Sequence, residues 1–209
     1  MGSSSDQVIF LTHGICAIIA FAFCIPVAVT SAMTKNIFNF DLCHNHKAWF
    51  VIHYIMNLLA LVLTIVVFGL AVYAYERRGL DHFKYYTHEW LGLLTMILVV
   101  LQVAFAFIRP SPPSQPKPAV ENEDNESGME KSNQEKRQEE KTLLKSIWEI
   151  FHRVSALGIF ALGLYQIISG LDLYEKHYGV LNWTTAFWIV VGCLYAIMVS
   201  IITYAKLFA

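Results

Sequence analysis

Four of the eight histidines, His13, His53, His88 and His152, lie within apolar stretches, each near the start of a different one. Ionisable side chains inside such stretches are rare and are functional candidates by default. If each stretch crosses a membrane, successive stretches alternate direction. His13 and His88 then lie near one face, and His53 and His152 near the other. Each pair comes from alternate helices, which face each other diagonally in a four-helix bundle. Two neutral imidazoles opposed across a bundle core suit bis-axial ligation of a flat metal macrocycle. A bare zinc site fits poorly, because zinc wants about four protein ligands, or three and a water, and each layer offers two histidines. One histidine near a span end is an ordinary interfacial residue. Four of them, one per span and matched in depth, weaken that reading.

The elements that position these residues follow from composition. The chain has 209 residues, 56% hydrophobic and 15% charged, with a mean hydropathy of +0.49. Soluble domains carry about 25% charged residues. Seven of the 15 Lys/Arg and eight of the 16 Asp/Glu fall within 109–145, so the rest of the chain is nearly free of charge. That excludes a soluble domain. The net charge of −1, with no basic face, argues against nucleic acid as a partner. Five stretches are long enough to span the bilayer: 8–33, 49–75, 88–108, 147–171 and 181–208. In lipid each must satisfy its own backbone, so all five are expected to be helices. The fold class is therefore all-α: an integral membrane bundle of five helices, the first four forming the core that holds the histidines. Helices one to three occupy 1–108 and helices four and five occupy 146–209, the two parts forming one domain. Five of the six prolines lie in 110–118, and a mixed-charge run follows. This composition predicts a mostly disordered loop over 109–145 whose end can continue as a solvated helix into span four.

Lys/Arg placement sets the orientation. The face on the N-terminal side carries four: Arg77, Arg78, Lys84 and Lys176. The other face carries eleven, among them Lys47, Arg109, Lys145 and Arg153. The eleven-cation face is expected to be cytoplasmic, with the C-terminus and the 109–145 loop. The N-terminus is expected on the non-cytoplasmic side, and the first span is expected to be retained rather than cleaved. Cys16, Cys24 and Cys193 read as small core hydrophobes. Gly14, Gly92, Gly158, Gly163 and Gly170 permit close approach, and Pro26 is expected to kink the first span.

These residues resemble the cytochrome b-561 domain, in the form associated with DOMON modules and ferric-chelate-reductase-like proteins. The segments carrying the resemblance are Thr12-His13-Gly14, Trp49-Phe50-Val51-Ile52-His53, His88-Glu89-Trp90-Leu91-Gly92, Leu101-Gln102, Arg109-Pro110, Phe151-His152-Arg153, Leu162-Gly163 and Ser169-Gly170-Leu171. The resemblance implies two b-type haems, with His13 and His88 as axial ligands of one and His53 and His152 of the other. It implies one-electron transfer across the membrane, from a cytoplasmic reductant such as ascorbate to monodehydroascorbate or a ferric chelate on the other side. Only seven residues precede the first span, so a form without the DOMON module is expected, and a homodimer is compatible with this reading.

On this reading an acidic reductant docks beside His53 and His152, where Lys47 and Arg153 are candidate substrate-binding cations. The layers are expected roughly 20 Å apart at 1.5 Å per residue, with aromatic residues such as Phe68, Phe105 and Phe160 between them. Two alternatives compete. Cys43-His44-Asn45-His46 offers metal ligands to a histidine-based transporter or sensor. A non-catalytic membrane scaffold would act through the charged loop.

Overall fold

The computed structural model describes residues 4–43, 46–83, 86–110, 128–179 and 183–208. Helix α1 (Ser4–Ala17) runs through a π-helical segment (Ile18–Cys24) into α2 (Ile25–Met33), and together they form the first span. A short hairpin, β1 (Asp41–Cys43) and β2 (His46–Lys47), leads into α3 (Ala48–Arg78). Then follow α4 (Thr87–Phe107), α5 (Gly128–Tyr178) and α6 (Trp183–Phe208). The described residues thus contain five helical spans long and apolar enough to cross a membrane. The expected all-α membrane bundle is the observed one.

The π-helical segment takes the place of the simple kink expected at Pro26. Proline has no N–H, and its ring excludes the carbonyl four residues back. The chain answers by widening the preceding turn: the Ile25 N–H donates to the Ala20 carbonyl, five residues back. Such π turns are often found at functional sites. This one carries Phe21, which is buried.

Helix ends are closed locally. Gly79 takes φ +61° after α3, where the Gly79 and Leu80 N–H groups donate to the Glu76 and Tyr75 carbonyls. That left-handed position suits glycine, and Arg77 and Arg78 face the negative end of the helix dipole. Glu175 Oε1 accepts from the Thr184 N–H and hydroxyl and so caps α6. At the other end, Asn36 donates to the Ala205 carbonyl.

α3 packs on α1 and α2, α4 on α3, α5 on α4, and α5 on α1, which closes a four-span ring. Spans one and three are diagonal in that ring, as are two and four. α6 lies outside it against α2 and α5. The buried centre is formed by Phe21, Cys24, Ala60, Val99, Ile159 and Ile167. The outer faces are apolar and open, as lipid contact requires: Val154, Leu157 and Val190 are about two-thirds exposed.

The reading of 109–145 needs correction over its second half. α5 begins at Gly128, so residues 128–145 are helical, and the solvated continuation reaches further back than a disordered loop would allow. The reason is composition: this part is rich in Glu, Lys, Gln and Arg, all good helix formers. At 1.5 Å per residue the 51-residue helix is about 76 Å long, more than twice the ~30 Å hydrocarbon thickness. Its charged N-terminal part therefore stands clear of the bilayer. Residues 111–127 lie outside the described residues.

Candidate functional site

The four span histidines are each held by the neighbouring antiparallel helix. His13 on α1 and His53 on α3 exchange support: His13 Nδ1 lies 2.9 Å from the Val67 carbonyl of α3, and His53 Nδ1 lies 2.9 Å from the Ala28 carbonyl of α2. A carbonyl only accepts, so both rings donate from Nδ1. The second helix pair repeats the device. His88 Nδ1 on α4 lies 2.8 Å from the Ser169 hydroxyl of α5, and His152 Nδ1 on α5 lies 3.1 Å from Gln102 Nε2 of α4. The Ser169 hydroxyl also has the Gln166 carbonyl as an acceptor at 3.1 Å, and donation there leaves its oxygen able to accept from His88. Among the described residues no hydrogen bond engages Nε2 of any of the four rings.

These partnerships place the rings at two depths. His13 is level with Val67 and His53 with Ala28, and 14 residues separate the two levels on α3. On α4, 14 residues separate His88 from Gln102, which is level with His152. Both intervals correspond to about 21 Å of helix. Across the ring diagonal, His13 and His88 face each other with centroids 6.2 Å apart and planes at 61°. His53 and His152 make no ring contact with each other; His152 stacks on Trp148 at 4.9 Å and 7°.

A cavity of about 410 Å3 adjoins the first pair, and its walls include Gly14, Gly92, Gly163 and Gly170. Two of these glycines carry close contacts. A Cβ at Gly170 would stand 3.1 Å from His88 Cε1, and one at Gly163 would stand 2.1 Å from Phe21 Cδ1. The cavity is lined mainly by apolar and aromatic side chains, with Arg78 and His82 among the polar ones. Arg78 pairs with Asp6 at 3.3 Å, donates to the Tyr178 hydroxyl at 2.9 Å and lies over the Phe10 ring. The Tyr75 hydroxyl donates to the Glu89 carboxylate, which ties the end of α3 to the start of α4.

The donor set and its surroundings suit a b-type haem. Two histidines face each other with Nδ1 engaged and Nε2 uncommitted, glycines line the space beside them, and the walls are apolar. An orienting acceptor at Nδ1 fixes the tautomer whose Nε2 lone pair can bind metal.

Near the second pair lie the cations. Lys47 pairs with Asp41 across the hairpin at 3.0 Å. Arg153 pairs instead with Glu149 at 3.6 Å, and Arg109 and Lys145 both approach the same carboxylate at 4.0 Å. The two cations expected to act together are thus engaged separately. Three cations around one acid leave a surplus of two positive charges one turn from His152.

Sequence reasoning missed Trp148, whose indole donates to the Phe105 carbonyl at 3.2 Å while its ring stacks on His152. Its spacing of four residues before His152 was the available signal. Two of the aromatic residues expected between the layers lie elsewhere. Phe105 stacks on Trp148 at the His152 level, and Phe160, though intermediate in depth on α5, faces outward to Tyr195 of α6. Phe68 lines the cavity, and Phe21 occupies the middle depth. Of the loop cluster, His44 and Asn45 lie outside the described residues. Among the described residues no group of three or more His, Cys, Asp or Glu could hold a bare metal ion.

Comparison with known proteins bears on the family of the chain. Over 113 residues, 54% of this chain, it is 31% identical to the Xenopus laevis protein named "Putative ferric-chelate reductase 1". The chain spans about a fifth of that relative's length (19%). The family profile for eukaryotic cytochrome b561 matches residues 11–119, which include His13, His53 and His88. With its haem-suited histidine bundle and that match over half its length, the chain belongs to the eukaryotic cytochrome b561 family, a family of b-type haem proteins of membrane electron transfer.

Proposed function

We propose that the chain carries single electrons across the membrane through two b-type haems, one held by His13 and His88 and the other by His53 and His152. The observation that carries this reading is the set of four rings at two depths, each with Nδ1 engaged and Nε2 left uncommitted. When bound, haem supplies a one-electron ferric/ferrous couple. The chain's own residues do the rest. Val67, Ala28 and Ser169 accept from Nδ1–H and so hold His13, His53 and His88 in the metal-binding tautomer. The apolar helix faces exclude water and keep the couple insulated. The 21 Å between the levels carries the electron most of the way across a ~30 Å hydrocarbon core.

The reductant docks at the face bearing Arg109, Lys145 and Arg153, which is the cytoplasmic face by the positive-inside rule. A net-positive surface one turn from His152 favours an anion such as ascorbate by charge-assisted hydrogen bonds. The N-terminus then lies on the non-cytoplasmic side. The acceptor there is monodehydroascorbate or a ferric chelate, the latter in keeping with the name of the Xenopus laevis relative.

A reduced-minus-oxidised spectrum of the purified protein tests the reading. Ascorbate should produce a b-type signal, with two haems per chain. A protein that binds no haem would overturn it.

A further inference from the structure

The four histidines are not held alike. Three present Nδ1 to an oxygen, while His152 faces the side-chain amide of Gln102. In the arrangement observed, Gln102 Nε2 is shared. It donates to the His152 carbonyl at 2.9 Å and lies 3.1 Å from His152 Nδ1. The other end of the amide, Oε1, accepts from the Ser155 hydroxyl at 2.8 Å. With an N–H facing it, Nδ1 is the acceptor, so the ring proton sits on Nε2, which then has no lone pair to offer a metal.

The opposite orientation of the same amide has the reverse effect. Oε1 then accepts from Nδ1–H, and Nε2 donates to Ser155, whose own proton goes to the Phe151 carbonyl at 2.7 Å. The bond to the His152 carbonyl is given up and Oε1 is brought close to that carbonyl oxygen, so this setting depends on the Nδ1–H bond to hold it. The amide therefore has two settings, and they select opposite tautomers of His152.

We propose that Gln102 is the positioning residue of His152. Its amide turns to present Oε1 when His152 becomes a ligand, and the strength of that acceptor sets the potential of the haem held by His53 and His152. This rests on the ligand assignment proposed above. An acceptor that pulls harder on Nδ1–H makes the ligand more basic and favours the ferric state. His13 and His53, held by backbone carbonyls, lack any such adjustable partner.

The test uses the purified full-length holoprotein, its haem:protein ratio and spectroelectrochemical titration of both haems. Gln102→Glu places a fixed anionic acceptor at Nδ1 and should lower the potential of one haem only. Gln102→Leu removes the acceptor and should move that same haem in the opposite direction, with the other unchanged. Ser155→Ala, which removes a hydroxyl that reaches the His152 carbonyl at 3.2 Å but leaves the imidazole's own partner in place, frees the far end of the amide and should shift the same haem by less. Two retained haems with neither potential moved would overturn the proposal, as would equal shifts in both haems or loss of the same haem in both Gln102 variants. Absence of haem from the wild-type protein would instead overturn the ligand assignment.

Discussion

Gly163→Ala is the most discriminating single change in the bundle. An added Cβ would stand 2.1 Å from Phe21 Cδ1 and 2.6 and 2.7 Å from two more ring atoms, against an ordinary contact of at least 3.4 Å. The overlap of about 1.3 Å is too large to absorb by a few tenths of an ångström of give. Phe21 is buried on the stiff π-helical turn, so either its ring leaves its rotamer or α5 moves away from α1. Overpacking of this kind costs about 1–3 kcal/mol. Alanine also gains about 1 kcal/mol of helix propensity over glycine, which makes the net stability change modest. The cavity wall beside His13 and His88 is nonetheless displaced. Thermal unfolding in detergent should thus change little, while haem per chain falls by up to one. The compensating variant Phe21→Leu/Gly163→Ala should restore haem, and a double-mutant cycle measures the coupling. If Gly163→Ala alone keeps full haem per chain, the reasoning about the π-helical turn and its glycine seat is refuted.

Other outcomes follow from the same geometry. Gly170→Ala brings a Cβ to 3.1 Å from His88 Cε1 and should disturb the His88–Ser169 bond, seen as a changed signal from one haem without loss of the other. Arg78→Ala removes the guanidinium beside Asp6 at a site that is only partly exposed. It should cost about 1–3 kcal/mol in unfolding stability, between the surface and buried limits for ion pairs. Combined neutralisation of Arg109, Lys145 and Arg153 should raise the apparent KM for ascorbate several-fold at low ionic strength, with the effect shrinking in high salt because all three side chains reach solvent. An unchanged KM at low salt would move the docking site elsewhere.

Much of the bundle was legible because membrane physics leaves few choices. Apolar length gave the five spans, and alternation of direction gave the two histidine depths. The ring of neighbouring helices then placed His13 and His88 on a diagonal as expected. What escaped the sequence has physical causes. Val67 and Ala28 hold histidines through backbone carbonyls, which every residue possesses, so no residue type announces them. Gln102 and Ser169 carry side-chain partners and stood in segments already singled out, but their facing histidines lie 50 and 81 residues away in sequence. The π-helical turn depends on where Pro26 falls against the packing of Phe21, a tertiary matter. The helical reach of α5 back to Gly128 was obscured because its charged residues resemble those of a disordered tether as much as those of a solvated helix.

The central claim is that four histidines hold two haems in two layers. It is tested most directly by haem stoichiometry in four single variants: His13→Ala, His88→Ala, His53→Ala and His152→Ala. Each should fall from two haems per chain to one. The first two should lose the same spectral component and the last two the other. Any variant that retains both haems, or a pair that loses different components within one layer, would contradict the account.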